Sequence, residues 1–168
     1  MDLKFFQMME FINNRLTNIE KNISKIDEKV EFGLSLQRNF LIRIKNGEDI
    51  DDSSILLGRP YNDLSPVKAY SIYKNADADF IILDVSSKNF NTVIRPKGAL
   101  HIPLEELNTR YVEIQNKTTP ILIISEDGLR SILACEMLVK KGHYNLNNIS
   151  GGYKFWPEVN KNTANQLS

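Results

Sequence analysis

The chain has 168 residues, 42% of them apolar, with 21 basic and 21 acidic residues and a formal net charge of zero. That length suits one globular domain plus an extension, and the charge balance excludes the basic excess expected of a nucleic-acid-binding surface. No run of about 18 apolar residues offers a transmembrane helix, and MDLKFFQMMEF lacks the basic region, continuous apolar stretch and small-residue cleavage site of a secretory signal.

The first thirty residues read as one helix. Phe5, Met9, Ile12, Leu16, Ile19, Ile23, Ile26 and Val30 are spaced 4, 3, 4, 3, 4, 3, 4, an apolar seam held over nearly four heptads. The positions between are mostly Asn, Lys, Glu, Asp, Thr and Ser. A lone helix with so narrow a stripe is marginal in water and needs a partner. Residues 1–32 are therefore expected to form a coiled coil that makes the chain a homo-oligomer. The alternative is a helix folded back onto its own domain. The mixed Phe, Met, Leu and Ile seam matches none of the pure-seam rules, so strand number stays open.

Residues 33–61 read as a connector. Leu34, Leu36, Phe40, Leu41, Ile42 and Ile44 either continue the helix or pack on the domain, and Asn46-Gly47 ends that stretch. Asp49 to Ser54 is polar loop, and Gly58-Arg59-Pro60 and Asn62-Asp63 carry turn chemistry. The globular domain is expected over residues 62–160, with a tail at 161–168. Ser65-Pro66 is an N-cap with proline at the first helical position, so Val67 to Tyr73 is helix. Phe80 to Val85 is a short, almost continuously apolar strand, as in a parallel sheet covered on both faces. Arg95 to Leu104 is loop and short strand, and Leu104 to Ile114 a turn or two of helix. Pro120 to Ile124 is a second buried strand, and Ser131 to Lys140 is a helix closed by Lys141-Gly142. Leu146 to Ile149 is a further strand, followed by Gly151-Gly152. Alternating strands and helices predict an α/β domain with a mostly parallel sheet flanked by helices.

Four segments in this order resemble the rhodanese (sulfurtransferase) family. Ile81-Ile82-Leu83-Asp84-Val85 looks like its first core strand, and Gly98-Ala99-Leu100-His101-Ile102-Pro103 like its Gly-Ala-x-His-Ile-Pro segment. Ser125-Glu126-Asp127-Gly128-Leu129-Arg130-Ser131 resembles the active loop Cys-x-x-Gly-x-Arg-Ser, and Gly151-Gly152-Tyr153-Lys154-Phe155-Trp156 the closing Gly-Gly-x-x-x-Trp. The resemblance spans roughly residues 62–158. It implies a rhodanese-like fold and a strand–loop–helix cradle whose backbone N–H groups converge on an anion. It also implies that Ser125 stands where active members keep their cysteine.

A serine cannot carry a persulfide, so no catalytic residue is expected; the loop Ser125 to Ser131 is a degenerate site. Glu126 and Asp127 set negative charge where an anionic donor would approach. Arg130 is expected to order the loop through backbone carbonyls or to pair with one of those acids. Cys135 is expected to be a buried apolar residue of the following helix. Being the single cysteine, it forms no intrachain disulfide and fits a reducing, cytoplasmic location. His101 and His143, the only histidines, are too few to argue a metal site; His101 is expected to bond a loop. The related phosphatases carry one more residue between cysteine and arginine, which separates them from this spacing. No cofactor is expected. The reading is an inactive, oligomeric rhodanese-like scaffold or regulatory module with an unidentified protein partner. Its alternatives are an enzyme of altered chemistry with Ser125 as nucleophile, and an anion sensor using Ser125 to Arg130.

Overall fold

The structure, a computed structural model, describes residues 3–47, 50, 52–92 and 94–159. The expected tail at 161–168 and the loop residues Asp49 and Asp51 lie outside the described residues. The chain divides into two compact units, Met1–Ser35 and Leu36–Ser168.

The first helix, α1 (Leu3–Lys45), runs through Gly33 and ends where Asn46-Gly47 predicts. There Asn46 N–H donates to the Ile42 carbonyl at 3.0 Å, and Gly47 sits at φ +75°. So the helix includes Leu34 to Ile44, the first half of the expected connector. Every seam residue from Phe5 to Val30 is exposed to solvent in the single chain. A short helix, α2 (Asp52–Leu56), replaces the end of the expected polar loop. Asp52 in its first turn suits the positive end of the helix dipole. No described helix is long and apolar enough to cross a membrane.

In the second unit five parallel strands, β1 (Asn62–Leu64), β2 (Ile81–Asp84), β3 (Leu100–His101), β4 (Ile121–Ile124) and β5 (Leu146–Ile149), form one sheet in the order β1-β5-β4-β2-β3. Two central strands, β2 (Ile81–Asp84) and β4 (Ile121–Ile124), pair residue for residue from Ile81 with Ile121 to Asp84 with Ile124. All four side chains of β4 are buried, which accounts for an apolar run without alternation. Each such side chain contributes on the order of 1.5–3 kcal/mol through burial. The short β3 (Leu100–His101) lies outside β2, and β5 (Leu146–Ile149) lies beside β4.

The far edge strand, β1 (Asn62–Leu64), occupies residues whose Asn-Asp pair reads as a turn. Its polar side chains serve the sheet. Asn62 Nδ2 donates to Asn147 Oδ1 at 2.9 Å, and Asn148 Nδ2 donates to Asp63 Oδ1 at 2.7 Å. These bonds let β5 bury two asparagines, because a buried amide is tolerated when hydrogen-bonded. At the C-terminal end of α1, Arg43 Nη2 donates to Asn62 Oδ1 at 2.6 Å.

Ser65 caps α3 (Pro66–Lys74), its hydroxyl accepting from Lys68 N–H at 3.3 Å. One core cluster joins Ala69 of α3 to Leu64, Ile82, Leu122, Ile124, Ile149, Tyr153 and Trp156. Trp156 meets Tyr70 edge-on, ring centres 5.4 Å apart. Ile121 and Ile123 face the other way by the two-residue strand period. There α5 (Leu129–Lys140) lies against β4 and β5 and packs with α4 (Leu104–Arg110), while a 3-10 turn, Tyr111–Glu113, continues α4. Cys135 is fully buried in α5, and burial pushes its thiol pKa well up.

Candidate functional site

The site is the junction between β4 and α5. Fully buried Ser125 follows the last residue of β4, and Gly128, at φ +91°, turns the chain into α5. The Ser125 hydroxyl oxygen accepts from Gly128 N–H at 3.1 Å and from Ser131 N–H at 3.3 Å, and it lies 3.3 Å from Ser131 Oγ. Ser131 Oγ in turn stands 2.6 Å from Asn148 Oδ1 and 2.9 Å from the Gly128 carbonyl. With one proton per hydroxyl, the consistent chain runs from Ser125 O–H to Ser131 Oγ, and from Ser131 O–H to Asn148 Oδ1. Asn148 then donates to Asp63. Asp63 also accepts from Ser150 Oγ at 2.5 Å. The polar centre of the loop is thus bonded down to the sheet edge.

The closing segment holds the loop from above. Gly151 stands at φ +74°, and a 3-10 turn spans Gly152–Phe155. Tyr153 N–H donates to the Ser125 carbonyl at 2.9 Å and Lys154 N–H to the Glu126 carbonyl at 3.1 Å. Trans peptides oppose C=O and N–H, so the N–H groups of Glu126 and Asp127 point away from residues 153–154. Gly152, at φ +53°, has no room for a Cβ, which would collide with the Ser125 carbonyl and press on Gly128 N. Gly152→Ala is therefore expected to destabilise the domain by more than about 3 kcal/mol, from the collision and the left-handed backbone together. Thermal unfolding checks it: a midpoint lowered by more than about 10 °C is expected, and a shift of one or two degrees would contradict the tight contact.

Arg130 does what its guanidinium geometry allows, with one partner the sequence does not point to. Its Nε donates to the Val85 carbonyl at 3.0 Å, tying α5 to the turn after β2. Its Nη2 donates to Glu105 Oε2, in the first turn of α4, at 2.6 Å. That bond holds the Glu105 carboxyl below its usual range and raises Arg130. The loop acids are secondary. Glu126 Oε2 lies 3.6 Å from Arg130 Nε, while its Oε1 accepts from Ser87 N–H at 2.7 Å. Asp127 caps Leu129 N–H at 3.0 Å.

The remaining family-like residues support loops. Asp84 accepts from Ser86 N–H at 2.9 Å and from the Tyr153 hydroxyl at 2.9 Å. Burial and Asp84 together push the Tyr153 phenol up. His101 Nε2 lies 3.2 Å from the Ser86 carbonyl. His143 is buried in the turn after α5 and has its pKa lowered by that burial. A depression of about 250 Å3 opens beside the loop, lined by Phe90, Thr92, Glu126, Tyr153 and Lys154 among others. Among the described residues, no group of three or more His, Cys, Asp or Glu is placed to hold a metal.

These observations define a parallel α/β domain whose strand–loop–helix junction turns backbone N–H groups onto one buried side chain. The chain belongs to the rhodanese-like domain family, whose pattern matches residues 65–158. It is 26% identical over 96 residues to the thiosulfate sulfurtransferase GlpE of Coxiella burnetii, covering 57% of this chain and 87% of that protein. Among solved structures it resembles the reduced CoADR-RHD of Bacillus anthracis at 28% identity and a TM-score of 0.51. That match covers 66% of this chain and 19% of the other. A rhodanese-like domain protein from Staphylococcus aureus matches at 19% identity and a TM-score of 0.49, covering 56% of this chain and 90% of that one.

Proposed function

We propose that this rhodanese-like chain does not transfer sulfur, and that it serves as a scaffold or regulatory module. In this reading α1 assembles copies of the chain, and the loop mouth contacts a protein partner. The observation that carries it is Ser125 at the head of the loop, its hydroxyl oxygen accepting the N–H groups of Gly128 and Ser131. Sulfur transfer in a cradle of this kind requires a thiolate, and the only thiol, Cys135, is buried within α5 with its pKa raised. The single cysteine also supports a reducing, cytoplasmic location.

The geometry favours this over the two alternatives. A serine nucleophile requires a base within hydrogen-bond reach. Among the described residues the partners of the Ser125 hydroxyl are two backbone N–H groups and the Ser131 hydroxyl, with no histidine, lysine or carboxylate. An anion sensor requires free donors. Here three of the loop's N–H groups are taken, those of Gly128 and Ser131 by Ser125 and that of Leu129 by Asp127, and the Glu126 carboxylate adds like charge. The test is thiocyanate production from thiosulfate and cyanide, with the Coxiella relative as the active comparison. No product above background is expected. A turnover within tenfold of that relative would end the proposal.

A further inference from the structure

The geometry points to a parallel bundle of three or four copies as the form that α1 takes, with second copies of this chain as the occupants of its seam. This rests on the proposed self-assembly and adds its direction and strand number. Taking Met9, Leu16, Ile23 and Val30 as one seam row (a) and Phe5, Ile12, Ile19 and Ile26 as the other (d), the flanks are not symmetric. Phe6, Asn13, Glu20 and Asp27 follow the second row (e); Met8, Arg15, Asn22 and Lys29 precede the first (g). One flank is acidic where charged, the other basic. All eight side chains are exposed, and no ion pair among the described residues engages Arg15, Glu20, Asp27 or Lys29.

In a parallel arrangement a g residue meets the e residue five positions further along its neighbour. That places Arg15 against Glu20 of the next copy, and Asn22 against Asp27. It also gathers Phe5, Phe6, Met8 and Met9 of all copies at one end, where the apolar stripe is widest. An antiparallel arrangement with full overlap puts Met9 opposite Ile26. It leaves Arg15 facing Asn22 and Glu20 facing Asn13. It also sets Phe6 beside Asp27 and Met8 beside Lys29, so that apolar flanks meet charge. Charge complementarity selects the parallel form, in which the same rule sets Met8 against Asn13 and Lys29 against Leu34.

Taken row by row, the seam narrows the strand number that its mixed composition as a whole leaves open. Ile12, Ile19 and Ile26 occupy the row where leucine favours two strands, and Leu16 precedes Ile19 in the pattern that shifts preference to three or four. The extra apolar flank at Phe6 and Met8 needs a second neighbour to cover it.

Disulfide trapping in the full-length chain tests both claims. Met9→Cys and Ile26→Cys proteins are made separately, mixed in equal amounts and equilibrated in a glutathione buffer. Linked pairs are then identified by intact mass, with the parent chain carrying only Cys135 as the control. Positions 9 and 26 lie about 25 Å apart along one helix, so the product reports direction. Dominant Met9→Cys homodimeric and Ile26→Cys homodimeric links, with a light-scattering mass of three or four chains, are expected. Dominant mixed links would overturn the direction, and a two-chain mass would overturn the strand number. An oligomer that forms no link at either position would overturn the seam as the contact. A single-chain mass at all concentrations would instead remove the self-assembly beneath the inference.

Discussion

Ser125→Cys is expected to load sulfur poorly from thiosulfate, because the position is fully buried and Glu126 opposes an incoming dianion, and adding Glu126→Gln is expected to raise that loading about tenfold. The thiolate would inherit the Gly128 and Ser131 N–H donors now bonded to the serine, at the head of the 12-residue α5. Both effects pull a cysteine pKa below its ordinary value of about 8.5, while the full burial of the position works against them. The obstacle is the incoming dianion. Glu126 is fixed by Ser87 N–H rather than swung into solvent. At about 6 Å in a water-like dielectric, its charge costs a dianion about 1.4 kcal/mol, a factor of about ten. Glutamine keeps an oxygen for Ser87 while removing the charge. Persulfide loading followed by cyanolysis distinguishes the outcomes. Loading by Ser125→Cys alone at the rate of the Coxiella relative would mean that only the nucleophile is missing. No gain from Glu126→Gln would remove the charge argument.

The bonds of Arg130 account for the shape of this loop. Its two strongest bonds go to the Val85 carbonyl and Glu105, which join α5, the β2 turn and α4. Asp84 and Tyr153 make the matching tie between β2 and the closing turn. Residues that resemble the parts of a sulfur-transfer site are thus the fasteners of three loops. None of these ties involves the Ser125 side chain, so they do not depend on which residue stands there.

Much of this was legible from local chemistry. The apolar runs at Ile81 and Ile121, the Ser65-Pro66 cap and the Gly142 turn each specify a strand or helix end through neighbours within a few residues. Asn62–Leu64 was not legible as a strand, because an edge strand with Asn-Asp side chains carries turn signals and gains its identity only by pairing with β5. The same holds for Glu105, which lies 25 positions before Arg130. Nor does spacing place Asn148 and Asp63 beneath the loop. These are long-range polar pairings, fixed by the sheet order rather than by periodicity. The extent of α1 was half legible: Asn46-Gly47 marks its end, while Gly33 reads as a stop only if its exposed helical site is ignored. No Cβ contact constrains that position, so glycine there weakens the helix by only about 1 kcal/mol.

Ile23→Asp is expected to reduce the assembly to single chains of 19.3 kDa and to remove much of the helical signal of residues 3–35. Ile23 is half exposed in the single chain, at 53%, and the proposed assembly would bury it. Each buried isoleucine contributes about 1.5–3 kcal/mol, and one is lost per copy, with a carboxylate placed in the seam instead. Even two copies then lose about 4 kcal/mol, nearly a thousandfold in association. A helix released this way keeps a narrow stripe and no partner, which is marginal in water. Ser24→Asp is the matching control: it adds the same charge one position outside the seam and should leave the mass unchanged. Ile23 lies outside the Leu36–Ser168 unit, so the thermal transition of that unit is expected to stay where it is. A falling mass with an unmoved transition would separate assembly from folding. An unchanged mass in Ile23→Asp would show that this seam does not hold the copies together.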